Sequence, residues 1–145
     1  DISKQGGGQL SRHASHQNGL DADLSYFRKD HREMDPEGFG GFDELFVKNG
    51  KVTANFDVQR NYEIIKSYVS TSTVGRVFVD AQIKTKLCEY AESLKGLTDL
   101  DKETLRRMRP LENHKDHMHL RIKCPKSSPD CVTQVEPPAG TGCPT

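Results

Sequence analysis

The alternation of apolar and polar positions divides this chain into elements of two periods. Over 20–27 the alternation sets Asp21, Asp23 and Ser25 on one face and Leu20, Ala22, Leu24 and Tyr26 on the other, the period of a half-buried strand. Residues 44–47 and 52–56 flank Lys48-Asn49-Gly50-Lys51, whose Asn-Gly centre predicts a tight hairpin turn. A helical period follows, with Val58, Tyr62, Ile65 and Val69 recurring behind Asp57, a suitable N-cap. The run 76–80 predicts a short buried strand. Ile83, Leu87, Tyr90, Ala91 and Leu94 then share one side of a helix over 81–94 that ends near Gly96. Residues 98–103 read as a cap leading into a helix over 103–108, which Arg109-Pro110-Leu111 breaks. That oxygen-rich stretch lacks the glycine and the final glutamate of a calcium loop. Lastly, His117, His119, Arg121 and Lys123 share one face of a strand, and Met118, Leu120 and Ile122 the other. The expectation is an α+β fold, a small central antiparallel sheet flanked by helices.

Composition narrows this picture. With 145 residues the chain fits one domain, 1–145, and its 33% apolar content without tryptophan gives only a modest core. Four cysteines are the evident supplement; their even number favours an oxidising compartment, and four allow three pairings. The absence of Cys-x-x-Cys argues against a zinc ribbon. With 21 basic and 21 acidic residues, nothing forms the basic stripe of a nucleic-acid binder. No apolar run approaches the roughly 18 to 20 residues that cross a bilayer, and the expectation from the first residues is that they are not a signal peptide. Its first residues, Asp1-Ile2-Ser3, lead to the expectation of a processed or trimmed product.

Two loops are rich in glycine. Gln5-Gly6-Gly7-Gly8-Gln9 lies ahead of the first histidines, and 27–41 carries the turn signal Asp35-Pro36-Glu37-Gly38 before Gly40-Gly41-Phe42 closes it. Gly6–Gly8 and Gly38–Gly41 are candidates for substrate contact at the rim of a cleft. His31, alone among charged residues, reads as a solvated loop histidine.

The other five histidines fall in two clusters, His13 and His16 ahead of the strand bearing Asp23, and His114, His117 and His119 at the last strand. The period of two aims His117 and His119 the same way. If their strand pairs beside the one carrying Asp23, two imidazoles, a carboxylate and His16 converge. Two imidazoles and a carboxylate suit zinc, and three protein ligands leave a fourth position for water. Water so bound is acidified toward a pKa of about 7, and a spare histidine can take its proton or stabilise an oxyanion.

His16-x6-Asp23 followed by His117-x-His119 resembles the signature of the lysostaphin, D-Ala-D-Ala metallopeptidase and hedgehog superfamily. More closely, the runs 13–23 and 114–125 resemble the penicillin-insensitive murein endopeptidase family, with looser support from Phe56-Asp57-x2-Arg60-Asn61, Val77-Phe78-Val79 and the cysteine-containing tail. The resemblance implies one Zn2+ per chain, held by His16, Asp23 and His119. It implies His117 as the catalytic histidine assisted by His114, with His13 a further histidine at the cleft. It also implies disulfides Cys124–Cys131 and Cys88–Cys143. The family carries a substantial segment before its first histidine motif, whereas here about a dozen residues precede it. The expectation is that an N-terminal part was removed or that this is a shortened relative, which bears on specificity more than on zinc. The region 93–109 is longer and more charged than the resemblance leads one to expect.

The function expected is that of a periplasmic or secreted zinc metallopeptidase that hydrolyses peptidoglycan cross-links, such as D-alanyl to diaminopimelyl bonds. Its partners are then murein stem peptides. Two alternatives are a D,D- or L,D-carboxypeptidase of the same superfamily and a non-catalytic zinc-binding module like the hedgehog domain. A cationic pocket for a terminal carboxylate would favour the first, with Arg12 as the candidate; retention of His117 argues against the second.

Overall fold

The computed structural model describes residues 19–33 and 42–145. In chain order these form strand β1 (Asp21–Ser25), the hairpin strands β2 (Val47–Lys48) and β3 (Lys51–Val52), helix α1 (Val58–Ser70), strand β4 (Val74–Val79), helices α2 (Ala81–Ser93) and α3 (Asp99–Arg107), and strands β5 (Met108–Pro110) and β6 (His117–Ile122). The fold is α+β. Four strands make one sheet in the order β1-β6-β4-β5, antiparallel except for the parallel pair β4–β5.

Each helix begins where the sequence supplies an acceptor for its unpaired amides. Asp57 accepts from the Arg60 amide, Asp80 from the Gln82 amide, and Thr98 and Asp101 form a reciprocal capping box. The hairpin turns at Asn49 and Gly50, with φ of 51° and 71°, the left-handed pair that Asn-Gly favours. The third helix starts at Asp99, earlier than expected, because the capping box takes Asp101 into its first turn. Arg109 and Pro110, expected only to break that helix, lie in the edge strand β5 beside Phe78 and Val79. Proline is tolerated there because an edge strand leaves one row of amides unpaired.

Parity divides the sheet. Val77, Val79, Met118 and Leu120 turn to one side and join Tyr62, Ile65, Ile83, Leu87 and Leu105 of the helices in the core. Asp21, Asp23, His117, His119 and Phe78 have the opposite parity. On β1 the carboxylates are the buried members, Asp21 at 2% and Asp23 at 4% exposure, whereas Ala22 and Leu24 are half-buried. Both disulfides, Cys88–Cys143 and Cys124–Cys131, are formed. No helix among the described residues is long and apolar enough to cross a membrane.

Candidate active site

The pairing of β1 with β6 assembles the site. Asp23 lies across from His119 and Ser25 across from His117. The register follows from the alternation on both strands, since a slip of one residue would turn every one of these side chains to the other face.

His119 is oriented from both sides. Its Nε2 lies 2.8 Å from Asp21 Oδ1, and the Arg121 guanidinium donates to both oxygens of Asp21, from Nε at 2.7 Å and Nη2 at 2.9 Å. Burial raises the Asp21 carboxyl pKa, but the hydrogen bonds from His119 and Arg121 outweigh it, and the net displacement is downward. Asp21 is therefore an acceptor, and the proton of the His119 ring sits on Nε2. That choice leaves an unshared pair on Nδ1, which is 3.3 Å from Asp23 Oδ1. A lone pair facing a carboxylate oxygen at that range is unfavourable unless a cation or proton lies between them. A histidine held by a carboxylate in this way could serve as a metal ligand. Phe78 packs edge-on against the ring, centroids 5.4 Å apart.

His117 carries a similar dyad with a different neighbour. Its Nδ1 is 2.6 Å from Asp116 Oδ1, so this nitrogen donates, and Nε2 points toward Asp23 Oδ1 at 3.7 Å. The ring of Phe42 stacks on it at 4.7 Å and 13°.

His114 is placed by the loop ahead of β6. Tyr26 Oη donates to the His114 carbonyl at 2.9 Å, and the Phe46 amide donates to the Lys115 carbonyl at 2.7 Å. Tyr26, Phe46 and Phe56 form an edge-to-face aromatic cluster beneath this loop, so core packing fixes the loop's position. His114 Nδ1 donates to the Glu112 carbonyl at 2.6 Å. Burial lowers its pKa; the Glu112 bond opposes that and the neighbouring His117 and His119 reinforce it, leaving a neutral ring. Its Nε2 is buried without a hydrogen-bond partner among the described residues. A buried acceptor in that state costs about 1 to 3 kcal/mol, which a ligand or water in the cleft would recover. The centroid of His114 is 4.9 Å from that of His117 and 5.9 Å from that of His119.

The structure thus brings together Asp23, His114, His117 and His119. His13 and His16 lie outside the described residues, as do Gly6–Gly8 and Gly38–Gly41. Among the described residues no three His, Cys, Asp or Glu side chains are arranged as a metal cage; Asp23 and His119 supply two donors, an oxygen and a nitrogen of the kind zinc takes. Asp21, Asp116, Phe78 and Arg121 join the site without having been singled out as its members. Asp21 and Arg121 shared the faces of Asp23 and His119 in the alternation, and that was the available signal.

A model of the penicillin-insensitive murein endopeptidase family matches residues 1–145. Proteins of that name are similar along nearly the whole chain. The protein from Haemophilus influenzae is 35% identical over 99% of this chain and 49% of its own length. That from Klebsiella pneumoniae is 34% identical over 99% and 51%, and that from Pectobacterium atrosepticum is 36% identical over 95% and 47%. The chain spans about half the length of the curated relatives it matches. It belongs to the penicillin-insensitive murein endopeptidase family.

Proposed function

We propose that this chain is the catalytic part of a zinc-dependent murein endopeptidase, acting outside the cytoplasm on peptide cross-links such as the D-alanyl to diaminopimelyl bond. The observation that carries the reading is His119, whose Nε2 is committed to Asp21 while its Nδ1 faces Asp23 at 3.3 Å. Two buried donors aimed at one point fit a zinc ion, with His16 as the third ligand. The names of the relatives supply the substrate class. When bound there, zinc would polarise a peptide carbonyl and acidify water.

The chain's own residues do the rest. With Nδ1–H donated to Asp116, His117 presents Nε2 as a base, and Asp116 stabilises the imidazolium that forms on proton uptake. His114 is held neutral by burial and offers Nε2 beside it, able to share that proton or, once charged, to stabilise an oxyanion. Phe42 and Phe78 shield the rings from bulk water and hold their planes. A purely structural metal site has no use for the His117–Asp116 pair. Two disulfides agree with an oxidising, extracytoplasmic compartment.

Digestion of purified sacculi, followed by separation of the released muropeptides, tests the reading. The expected result is loss of cross-linked dimers, abolished by a chelator and reduced about 10²- to 10⁴-fold by His117→Ala. Loss of terminal alanine alone would replace the endopeptidase with a carboxypeptidase. Bound zinc with no change in the muropeptides would reduce the chain to a binding module.

A further inference from the structure

The motif Phe56-Asp57-x2-Arg60-Asn61 has a structural task for three of its four named members. Phe56 is in the core, Asp57 caps α1, and Asn61 is fully buried, accepting from the Phe27 amide and donating to the Phe27 and Asp57 carbonyls. Arg60 is the exception. It is half-buried, and among the described residues its guanidinium has no ion pair. One face lies over the Phe27 ring at 4.5 Å, and Nη1 donates to His31 Nδ1 at 3.0 Å.

We propose that Arg60 and His31 form a subsite for a free carboxylate of the peptide substrate. The inference rests on the peptidase reading above. Arg60 and His31 line a cavity of about 370 Å3 with Ser25, Arg28, Arg32 and Glu33. Arg28 and Arg32 are already matched by Asp43 and Glu44, so among the described residues of that wall Arg60 is the cation without an ion pair. Glu33 is exposed at the same cavity, its backbone carbonyl accepting from Arg28.

The donor geometry favours a carboxylate. Arg60 must donate to His31 Nδ1, which places the His31 proton on Nε2 and leaves both groups with N–H bonds to spare. Phe27 holds the guanidinium plane, and a planar fork fixed in this way matches two carboxylate oxygens. His31 has a φ of 58°, a left-handed conformation that histidine adopts more readily than most residues other than glycine.

The cavity reaches the strand that carries Asp23. Ser25 lines it and lies across the sheet from His117. Phe27 is four residues beyond Asp23, at most about 13 Å along an extended chain. A substrate peptide laid along β1 would therefore place a carboxylate on Arg60 about three or four residues from the bond being cut. Two sources share this chemistry at that distance, the free side-chain carboxylate of the donor stem's diaminopimelate and the C-terminal carboxylate of the acceptor stem.

The test compares a cross-linked muropeptide dimer with two amidated forms, one at the diaminopimelate carboxylate and one at the terminal carboxylate. Its readout is the acid-to-amide ratio of kcat/KM. A ratio of about 10 to 100 is expected for the unmodified chain, collapsing toward one in Arg60→Gln and partly kept in Arg60→Lys. Sensitivity to one amidation and not the other identifies the source. Calorimetric binding of the same ligands to His117→Ala reads the preference without turnover, so the subsite is decided even if no substrate is cleaved and the peptidase reading fails. Equal binding of acid and amide, or a preference that survives Arg60→Gln, overturns the proposal.

Discussion

Asp21 is the residue on which the orientation of His119 depends. It accepts from His119 and is clamped by two bonds from Arg121, so its carboxylate cannot turn away. Its role is positioning: the ring is steered so that Nδ1 faces Asp23. Asp21→Asn keeps an acceptor of the same shape but removes the charge that makes His119 a better donor of its lone pair. The expected outcome is a loss of zinc affinity of about 10- to 100-fold, measured by competition with a chromogenic chelator. An unchanged affinity would show that Asp21 only anchors Arg121. The members of the site legible in the sequence were those with a spacing signature: His117-x-His119, and Asp23 on an alternating strand. Asp116 gave no such signal, because adjacency along a chain does not say which ring nitrogen a carboxylate will reach. Phe42 was legible only as the end of a loop beside a cleft, and its stacking on His117 depends on how that loop is packed. His31, read as solvated, is indeed exposed, yet its bond to Arg60 joins positions 29 residues apart and has no local signature.

Helices α1 and α3 meet at Asp101. The carboxylate accepts from Tyr62 Oη at 2.6 Å, Lys66 Nζ at 2.9 Å, and the Thr98 amide and hydroxyl at 3.0 and 2.8 Å. Burial raises its pKa, but these donors outweigh burial and hold the group well below the usual carboxylate range. A carboxylate depressed in the folded state contributes stability that is complete above its unfolded value of 3.8 and is lost as pH falls toward the folded one. Asp101→Asn is expected to cost about 2 to 4 kcal/mol at pH 7, because Lys66 then faces an uncharged partner and the capping box loses its anion. In urea titrations the gap between the two proteins should narrow by about 1 kcal/mol at pH 3. A gap independent of pH would assign the effect to packing. This junction was half legible, since Thr98 and Asp101 form a cap signature, while Tyr62 and Lys66 were visible only as positions on another helix. The short strand β5 was not legible: three residues after a helix carry no measurable period, and Pro110 reads as a breaker. On β1 the alternation was right and the buried side unexpected, because the partners that bury Asp21 and Asp23 come from β6.

The whole molecule is closed at its C-terminal end by contacts that bypass the sheet. Lys84, 2% exposed, donates its three ammonium protons to the carbonyls of Leu105, Met108 and Thr141, which ties α2 to the end of α3, to β5 and to the tail. Burial, with some help from Arg109, pushes its pKa down to about 8, so it is still charged at neutral pH and can satisfy all three acceptors. Cys88–Cys143 fastens the same tail to α2 across 55 positions, whereas Cys124–Cys131 closes a loop of sequence separation 7 just beyond β6. Removing loop-closure entropy from the unfolded chain predicts about 4 kcal/mol for the long bridge and about 2.5 kcal/mol for the short one. Replacing Cys88 and Cys143 together by alanine should therefore lower unfolding free energy by about 1 to 2 kcal/mol more than replacing Cys124 and Cys131, read from denaturant titrations under non-reducing conditions. The ordering for zinc should be the reverse. Cys124 lies two positions beyond Ile122, the end of the strand that presents His117 and His119, while Cys88 and Cys143 join α2 to the tail. Loss of the short bridge loosens the end of β6 and is expected to weaken zinc binding more than loss of the long one, even though it costs less stability. Equal effects of the two pairs on zinc would mean that pairing with β1 and β4 alone holds β6 in place.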